Sequence, residues 1–166
     1  FFAYIKKAVP KGIVLDLGCG QGRHAIFFAE HGFESYGVDY VKRAIDEARQ
    51  YAKVKNLKNA HFKIMDIFKL NFPSNYFDVI VDWSVLDHIY PTQWKLYLKN
   101  ILKVLKVGGF SILTEFSAND RRIKDKSKNH AWDRNSYDHY FTEDELRDLF
   151  SKNFEFIKIV ETKLGT

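Results

Sequence analysis

The sequence predicts an α/β fold, a doubly wound and mostly parallel sheet with helices on both faces. Three observations lead there. Ile13-Val14-Leu15 with Leu17 is a short run of branched apolar residues, the composition of a strand buried on both faces, and it breaks into glycines at Gly18, Gly20 and Gly22. Strand-like and helix-like periodicities alternate along the rest of the chain. Two later apolar runs each end on an acid, Asp39 and Asp66. In open parallel sheets ligands bind beyond the carboxyl ends of the strands, so the glycine turn and these acids are expected at one crevice.

At 166 residues the chain suits one domain, 1–166, with a real core and no linker. No window approaches the roughly 18 to 20 apolar residues of a membrane span, and no charged-then-apolar secretory pattern opens the chain. These features lead to the expectation of a cytoplasmic location with no membrane partner. The single cysteine, Cys19, excludes an internal disulfide and a cysteine-based metal site, and no metal is expected. No initiator methionine is present, so the natural N-terminus is expected to be missing. The net charge of +5 is uneven: Asp120 to Lys128 reads Asp-Arg-Arg-Ile-Lys-Asp-Lys-Ser-Lys. Such a stretch attracts nucleic acid or an acidic substrate, although most such runs are solvated loops.

Taken in order, Phe1, Phe2, Ile5, Ala8 and Val9 lie at helical spacing, and Pro10 stops that helix. After the glycine turn a helix begins near Arg23, with Ala25, Ile26, Phe28 and Ala29 inward and His31-Gly32 as its stop. Phe33 to Val38 is the second strand and closes on Asp39, where an acid can accept both ribose hydroxyls of a nucleoside. Tyr40 to Lys55 is an amphipathic helix with Val41, Ala44, Ile45, Ala48 and Ala52 inward. Ala60 to Met65 is a third strand ending at Asp66-Ile67, and Phe77 to Trp83 a fourth, entered through the turn Phe72-Pro73-Ser74-Asn75. Trp94, Tyr97, Leu98, Ile101, Leu102 and Leu105 predict a helix that Gly108-Gly109 ends, and Phe110 to Phe116 a fifth strand. Ser117 to Tyr140 is polar and too long for an ordinary connection. It is read as a substrate-cap loop, 117–140, carrying Trp132, Tyr137, His139 and Tyr140. Thr142 to Glu145 is a capping box opening a helix through Phe150, and Phe154 to Val160 reads as a sixth strand.

The spacing of the glycines separates two ligand classes. A dinucleotide fingerprint, Gly-x-Gly-x-x-Gly, would place its third glycine where Arg23 stands. Asp16, inside the strand end, would repel a pyrophosphate but not a ligand bearing an ammonium and a sulfonium. Asp16, Gly18, Gly20 and Gly22 resemble the first motif of the class I S-adenosylmethionine-dependent methyltransferases, and Gly37-Val38-Asp39 resembles the second. The resemblance runs from the glycine motif to the sixth strand and is nearest to the small stand-alone members. One departure is that the chain ends before the antiparallel seventh strand those proteins insert between the fifth and sixth.

The resemblance implies S-adenosylmethionine as cofactor, with S-adenosylhomocysteine as product. It implies that Asp16, Gly18, Cys19, Gly20, Gly22, Asp39 and Tyr40 cradle its amino acid and ribose. Arg23 would pair with its carboxylate, Asp66 and Ile67 would lie beside the adenine, and Trp83 would stack on or shield the cofactor. Asp87 and His88, just past the fourth strand, are the candidate bases, histidine because it titrates near neutral pH. The place after the fourth strand reads Asp82-Trp83-Ser84-Val85, without the prolines and aromatic of the amine-clamping motif used on nucleic-acid bases. A small-molecule O, N or S acceptor is expected, with RNA or protein methylation and a non-catalytic S-adenosylmethionine-binding module as alternatives.

Overall fold

The computed structural model describes residues 2–120, 123, 129–133 and 136–162. The chain divides into two compact units, residues 1–85 with 92–114, and residues 86–91 with 115–166.

The first unit contains α1 (Phe2–Ala8), β1 (Ile13–Leu17), α2 (Arg23–Glu30), β2 (Glu34–Asp39), α3 (Lys42–Val54), β3 (Ala60–Ile64), β4 (Phe77–Trp83), α4 (Trp94–Val104) and β5 (Leu105–Thr114). The strands form one sheet in the order β3-β2-β1-β4-β5, every neighbouring pair parallel. Alternation along the strands sorts their side chains. Val14, Val79, Val81 and Ile112 pack with Ile5 of α1 and Phe28 of α2 on one face. Ala25 and Ile26 of α2 and Ile45, Ala48 and Ala52 of α3 cluster with Phe62 of β3. The polar Ser35 is tolerated in this layer because its fully buried hydroxyl donates to the Ala25 carbonyl at 2.7 Å.

On the opposite face, Tyr97 of α4 donates its hydroxyl to Asp82, the residue alternate to Val81. Between β3 and β4 the described chain makes only one short 3-10 turn, Ile67–Lys69, and Tyr36, Phe72, Tyr76 and Phe77 form an aromatic cluster with centroids 4.9 to 6.3 Å apart. All but the stacked Phe72–Tyr76 pair meet edge-on, the arrangement aromatic rings favour when they pack together.

The join of α4 to β5 corrects one expectation. The helix ends at Val104, and Gly108-Gly109 lies inside β5, which begins at Leu105. The register against β4 shifts between Phe77 and Val79. A Cβ on Gly109 would stand 2.9 Å from the Lys106 carbonyl oxygen and 3.0 Å from that of Asp78. These glycines therefore accommodate an irregularity between two strands instead of stopping a helix.

In the second unit, the stretch read as a loop over 117–140 contains an antiparallel hairpin of β6 (His130–Asp133) and β7 (Ser136–His139). Of the basic stretch, Arg121, Arg122 and 124–128 lie outside the described residues, as does the side chain of Trp132. Helix α5 (Glu143–Phe150) opens on the expected capping box: Thr142 accepts from the Glu145 N–H, and Glu145 accepts from the Thr142 N–H. The sixth strand expected over Phe154 to Val160 is absent, since the described residues there have no strand pairing. Phe154 instead continues from α5, its N–H donating to the Phe150 carbonyl and its ring meeting Phe150 edge-on at 5.6 Å. Phe156 lies under the Arg147 guanidinium. The aromatic residues that made the segment look like a strand pack locally on the helix, leaving Ile157 and Val160 exposed.

Ile80, with no exposed surface at the centre of β4, tests the sheet core. Ile80→Ala should lower the free energy of urea unfolding by about 2–5 kcal/mol, whereas Thr142→Ala, which removes only a cap, should cost about 1 kcal/mol.

Candidate functional site

The end of β1, the turn between β1 and α2, the start of α2 and the tip of β4 build one cleft of about 240 Å³, lined by Asp16, Gly18, Cys19, Gly20, Gln21, Arg23, His24 and Trp83. The turn is held from both sides. The Cys19 N–H donates to the Val38 carbonyl of β2 at 2.9 Å, and the Gly20 N–H to Asp39 Oδ2 at 2.9 Å. Asp16 Oδ2 accepts the Ala25 N–H in the first turn of α2 at 3.0 Å, satisfying one of that helix's free donors.

Two glycines are needed for different reasons. Gly20, at φ 52°, has no atom within 4 Å of where a Cβ would be, so a ligand can lie against its backbone. Gly22, at φ 79°, is buried, and a Cβ there would come within 2.5 Å of Phe62 and 3.0 Å of the Ala48 Cβ. Its place is in the packing of α2 on α3 and β3, outside the cleft lining.

The electrostatics centre on Asp16. It is 1 % exposed, and its Oδ1 makes no hydrogen bond among the described residues. Burial chiefly, with the nearby Asp82 and Asp39 carboxylates, pushes its pKa up to about 7 against the lowering effect of the Ala25 N–H. His24 Nδ1 stands 3.9 Å from that oxygen, and its ring stacks on Trp83 with centroids 4.6 Å apart. Burial, and then the Arg23 charge, hold His24 below its ordinary value, so near neutral pH it does not provide a cation for Asp16. Burial also raises the Cys19 thiol, keeping it protonated and unreactive. Trp83 remains about half exposed.

Asp39 lies beside this cleft through Gly20 and the Val41 N–H, which its Oδ1 accepts at 2.8 Å. Its main-chain carbonyl accepts the Met65 N–H at 2.9 Å and so ties β2 to the residue before Asp66. Asp66 is exposed and caps the turn over Ile67–Lys69, Oδ1 accepting the Phe68 N–H. Tyr40 is 81 % exposed at the β2 tip. Thus Asp16, Gly18, Cys19, Gly20, Arg23 and Trp83 are gathered in one lining, with Asp39 bonded to it, while Tyr40, Asp66 and Ile67 are placed at neighbouring strand tips outside it. Gln21 and His24 were not anticipated. For His24, its place in the first helical turn, behind the glycines, was the available signal.

Asp87 and His88 belong to the second unit. Asp87 is fully buried, and its N–H donates to Glu115 Oε2 at 3.0 Å. His88 Nδ1 lies 3.0 Å from Asp138 Oδ1 and 3.2 Å from the Tyr137 carbonyl oxygen. A carbonyl oxygen can only accept, so this arrangement assigns the ring hydrogen to Nδ1 in the neutral form and the lone pair to Nε2. Nε2 is 3.7 Å from Asp87 Oδ1, beyond hydrogen-bond reach. Phe116 meets the His88 ring edge-on at 5.9 Å, and Tyr90 and Tyr137 lie with centroids 4.6 Å apart. No group of three or more histidine, cysteine or carboxylate side chains among the described residues is arranged to hold a metal ion. No described helix is long and apolar enough to cross a membrane.

A family model described as a methyltransferase domain matches residues 9–156. The chain is 32% identical over 113 residues to 2-heptyl-1-hydroxyquinolin-4(1H)-one methyltransferase of Mycobacteroides abscessus, which covers 68% of this chain and 49% of that protein. It is 25% identical to tRNA(Thr) (cytosine(32)-N(3))-methyltransferase of Saccharomyces cerevisiae, covering 99% of this chain and 28% of that one. Among solved structures, it is similar to a SAM-dependent methyltransferase from Methanosarcina mazei, with a TM-score of 0.75, 26% identity and coverage of 94% of this chain and 87% of that one. The chain spans about half the length, or less, of these curated relatives.

The raised Asp16 pKa sets a pH dependence of stability. Because the folded value, about 7, lies above the ordinary 3.8, the native state binds the extra proton, and stability falls as pH rises between the two values. Asp16→Asn should therefore be more stable than the wild type by roughly 2–4 kcal/mol at pH 8. The gain should shrink towards zero at pH 4 in chemical denaturation.

Proposed function

The chain belongs to the methyltransferase domain family of class I S-adenosylmethionine-dependent enzymes, and on that premise we propose that it transfers a methyl group to an O, N or S acceptor on a small molecule. The observation that carries the reading is the glycine turn bonded to Asp39 on one side and flanked on the other by a buried carboxylate oxygen with no hydrogen bond among the described residues. Both features fit a cationic thioether nucleoside. The open space at Gly20 admits its backbone-hugging chain, Asp39 accepts its ribose hydroxyls, and Asp16 faces its ammonium. Arg23, in the same lining, offers its guanidinium to the carboxylate. Asp66 and Ile67 stand after β3 for the adenine, Tyr40 stands at the β2 tip, and Trp83 presents a half-exposed indole.

Bound S-adenosylmethionine supplies an activated methyl group on a sulfonium. The remaining work of the chain is to hold donor and acceptor close and dry, which can lower a barrier by roughly 7–11 kcal/mol. For an acceptor that arrives protonated, His88 would serve as the general base, accepting the proton at Nε2. The Tyr137 carbonyl holds the ring in the tautomer that can do so. Asp87, the other candidate base, is fully buried beside it.

The small-molecule reading is favoured by the groups around His88. Tyr90, Tyr137 and Phe116 are flat apolar surfaces, while Asp87, Glu115 and Asp138 would repel a phosphate backbone. The basic residues from Arg121 to Lys128 favour RNA instead, and so does the yeast relative that acts on a tRNA.

Calorimetry with S-adenosylmethionine and S-adenosylhomocysteine should give saturable binding by the wild type. Asp39→Asn, which exchanges charge-assisted ribose contacts for neutral ones, should weaken it by about tenfold or more. Equal affinity in the variant would remove Asp39 from the ribose site. A gel shift with RNA that disappears with added salt would move the acceptor to nucleic acid. Cofactor binding without any labelled methyl reaching the small molecules, RNA or protein of a cell extract would leave a binding module.

A further inference from the structure

The wall of the glycine cleft that belongs to β4 is set from behind. Trp83, at the tip of that strand, lines the cleft and stacks on His24 with centroids 4.6 Å apart and 25° between the planes. The chain then bends sharply. Ser84 has φ 59°, in the left-handed region that residues other than glycine rarely adopt, and its N–H donates to the Thr114 carbonyl of β5 at 2.8 Å. Such a bend persists only where its surroundings over-determine it. Asp82, with no exposed surface, stands behind it: Oδ1 accepts the Val85 N–H at 2.9 Å across the bend, and Oδ2 accepts the Tyr97 hydroxyl of α4. Val85 in turn lies on the bare backbone of Gly18, where a Cβ would stand 2.6 Å from its Cγ2. One buried carboxylate thus joins α4, the bend after β4 and the first glycine of the turn. An apolar residue at position 82 would fill the core without the cost of a buried charge. It could not accept the Val85 N–H.

We infer that Asp82 and Tyr97 are positioning residues for this cleft: the buried pair holds the bend at Ser84, and through it the Trp83 wall and the seat of Val85 on Gly18. For what the cleft binds this rests on the methyltransferase reading, which it extends to two residues standing behind the lining. The Tyr97 hydroxyl fixes one carboxylate oxygen, and that leaves the other facing the Val85 N–H. Without the hydroxyl, Asp82 stays buried and loses a donor, so the carboxylate turns or takes up a proton, and the Val85 N–H loses its fixed acceptor. Ser84 then relaxes out of the left-handed region. Trp83 and Val85 flank it in the chain, so the indole leaves its stack on His24 as the valine leaves the glycine turn, and both disturbances reach the cleft.

The test reads the cleft with and without a ligand, on the whole chain. Fluorotryptophan labelling gives a fluorine resonance for Trp83, assigned by its loss in Trp83→Phe, and calorimetry gives the affinity for S-adenosylhomocysteine. Tyr97→Phe, which removes only the hydroxyl, should move and broaden the Trp83 resonance of the ligand-free protein and raise the dissociation constant about tenfold. Asp82→Asn, whose amide can accept the Val85 N–H and donate to the Tyr97 oxygen, should keep both readouts close to the wild type. Asp82→Ala should match Tyr97→Phe, and the two together should bind no more weakly than either alone, because they break one linked set of bonds. Ser84→Val places a β-branched residue in the bend and leaves the core pair intact. It should give the same resonance shift and a similar loss of affinity, so the inference is decided even where Tyr97→Phe does not fold. Wild-type affinity and an unmoved Trp83 resonance in folded Tyr97→Phe, or in Ser84→Val, would show a pair that serves the core alone; that overturns the inference and leaves the methyltransferase reading standing. A wild type that binds neither S-adenosylmethionine nor S-adenosylhomocysteine overturns that reading, and the ligand-free fluorine spectra still decide whether the pair positions Trp83.

Discussion

Two carboxylates at the ends of adjacent parallel strands fix the conformation of the turn between β1 and α2, and the candidate site depends on that arrangement. Asp16 holds the first turn of α2 through the Ala25 N–H, and Asp39 holds the turn itself through the Gly20 N–H. Each bond ties a different part of the loop to a strand buried in the sheet, and the Gln21 side chain of the turn adds a bond to Glu47 of α3 at 2.6 Å. The register supports this. Asp16 lies opposite Gly37 on β2, and Gly37 admits Phe62 and the Cys19 sulfur where a Cβ would stand 2.7 to 2.8 Å from them. A larger residue at Gly37 would push the turn away from the strand that anchors it.

The same arrangement carries an electrostatic cost. Three acids, Asp16, Asp39 and Asp82, approach one another at the strand tips with little water around them. Asp82 is relieved by the Tyr97 hydroxyl and the Val85 N–H, and Asp39 by two backbone donors. Among the described residues Asp16 has one donor for two oxygens. The residue least satisfied by the fold is therefore the one that lines the cleft, and residual strain of this kind is expected where a ligand completes the structure.

Much of this was legible in the residues. The apolar run before Gly18 has one reading, because branched residues followed by alternating glycines suit a buried strand feeding a tight turn. The expected bounds of the fourth strand, Phe77 to Trp83, coincide with β4. The capping box at Thr142 was equally direct, since its two reciprocal bonds need only a local spacing. Errors arose where the deciding contact was distant. Gly108-Gly109 looks like a helix stop until the backbone of Asp78 is beside it. The hairpin at 130–139 has no turn signature strong enough to separate it from a polar loop. Phe154 to Val160 alternates like a strand, yet Phe154 and Phe156 are held by Phe150 and Arg147 of the preceding helix. Periodicity records which side chains can be buried together and is silent about whether a neighbouring strand exists.

The candidate site was legible to the same degree and for the same reason. Acids at strand tips are visible in sequence because the strand pattern places them, and so Asp16, Asp39 and Asp66 were found together. His24 was missed because its position depends on a stack against Trp83, from a strand more than fifty residues away. The central claim, that the glycine turn and its flanking carboxylates receive the amino acid and ribose of an adenosyl thioether, is tested most directly by the crystal structure of the complex with S-adenosylhomocysteine. The account predicts the ammonium within hydrogen-bond distance of Asp16 Oδ1 and both ribose hydroxyls on the Asp39 carboxylate. A nucleoside bound away from the β1 and β2 tips, or lying with its adenine against Asp16, would contradict it.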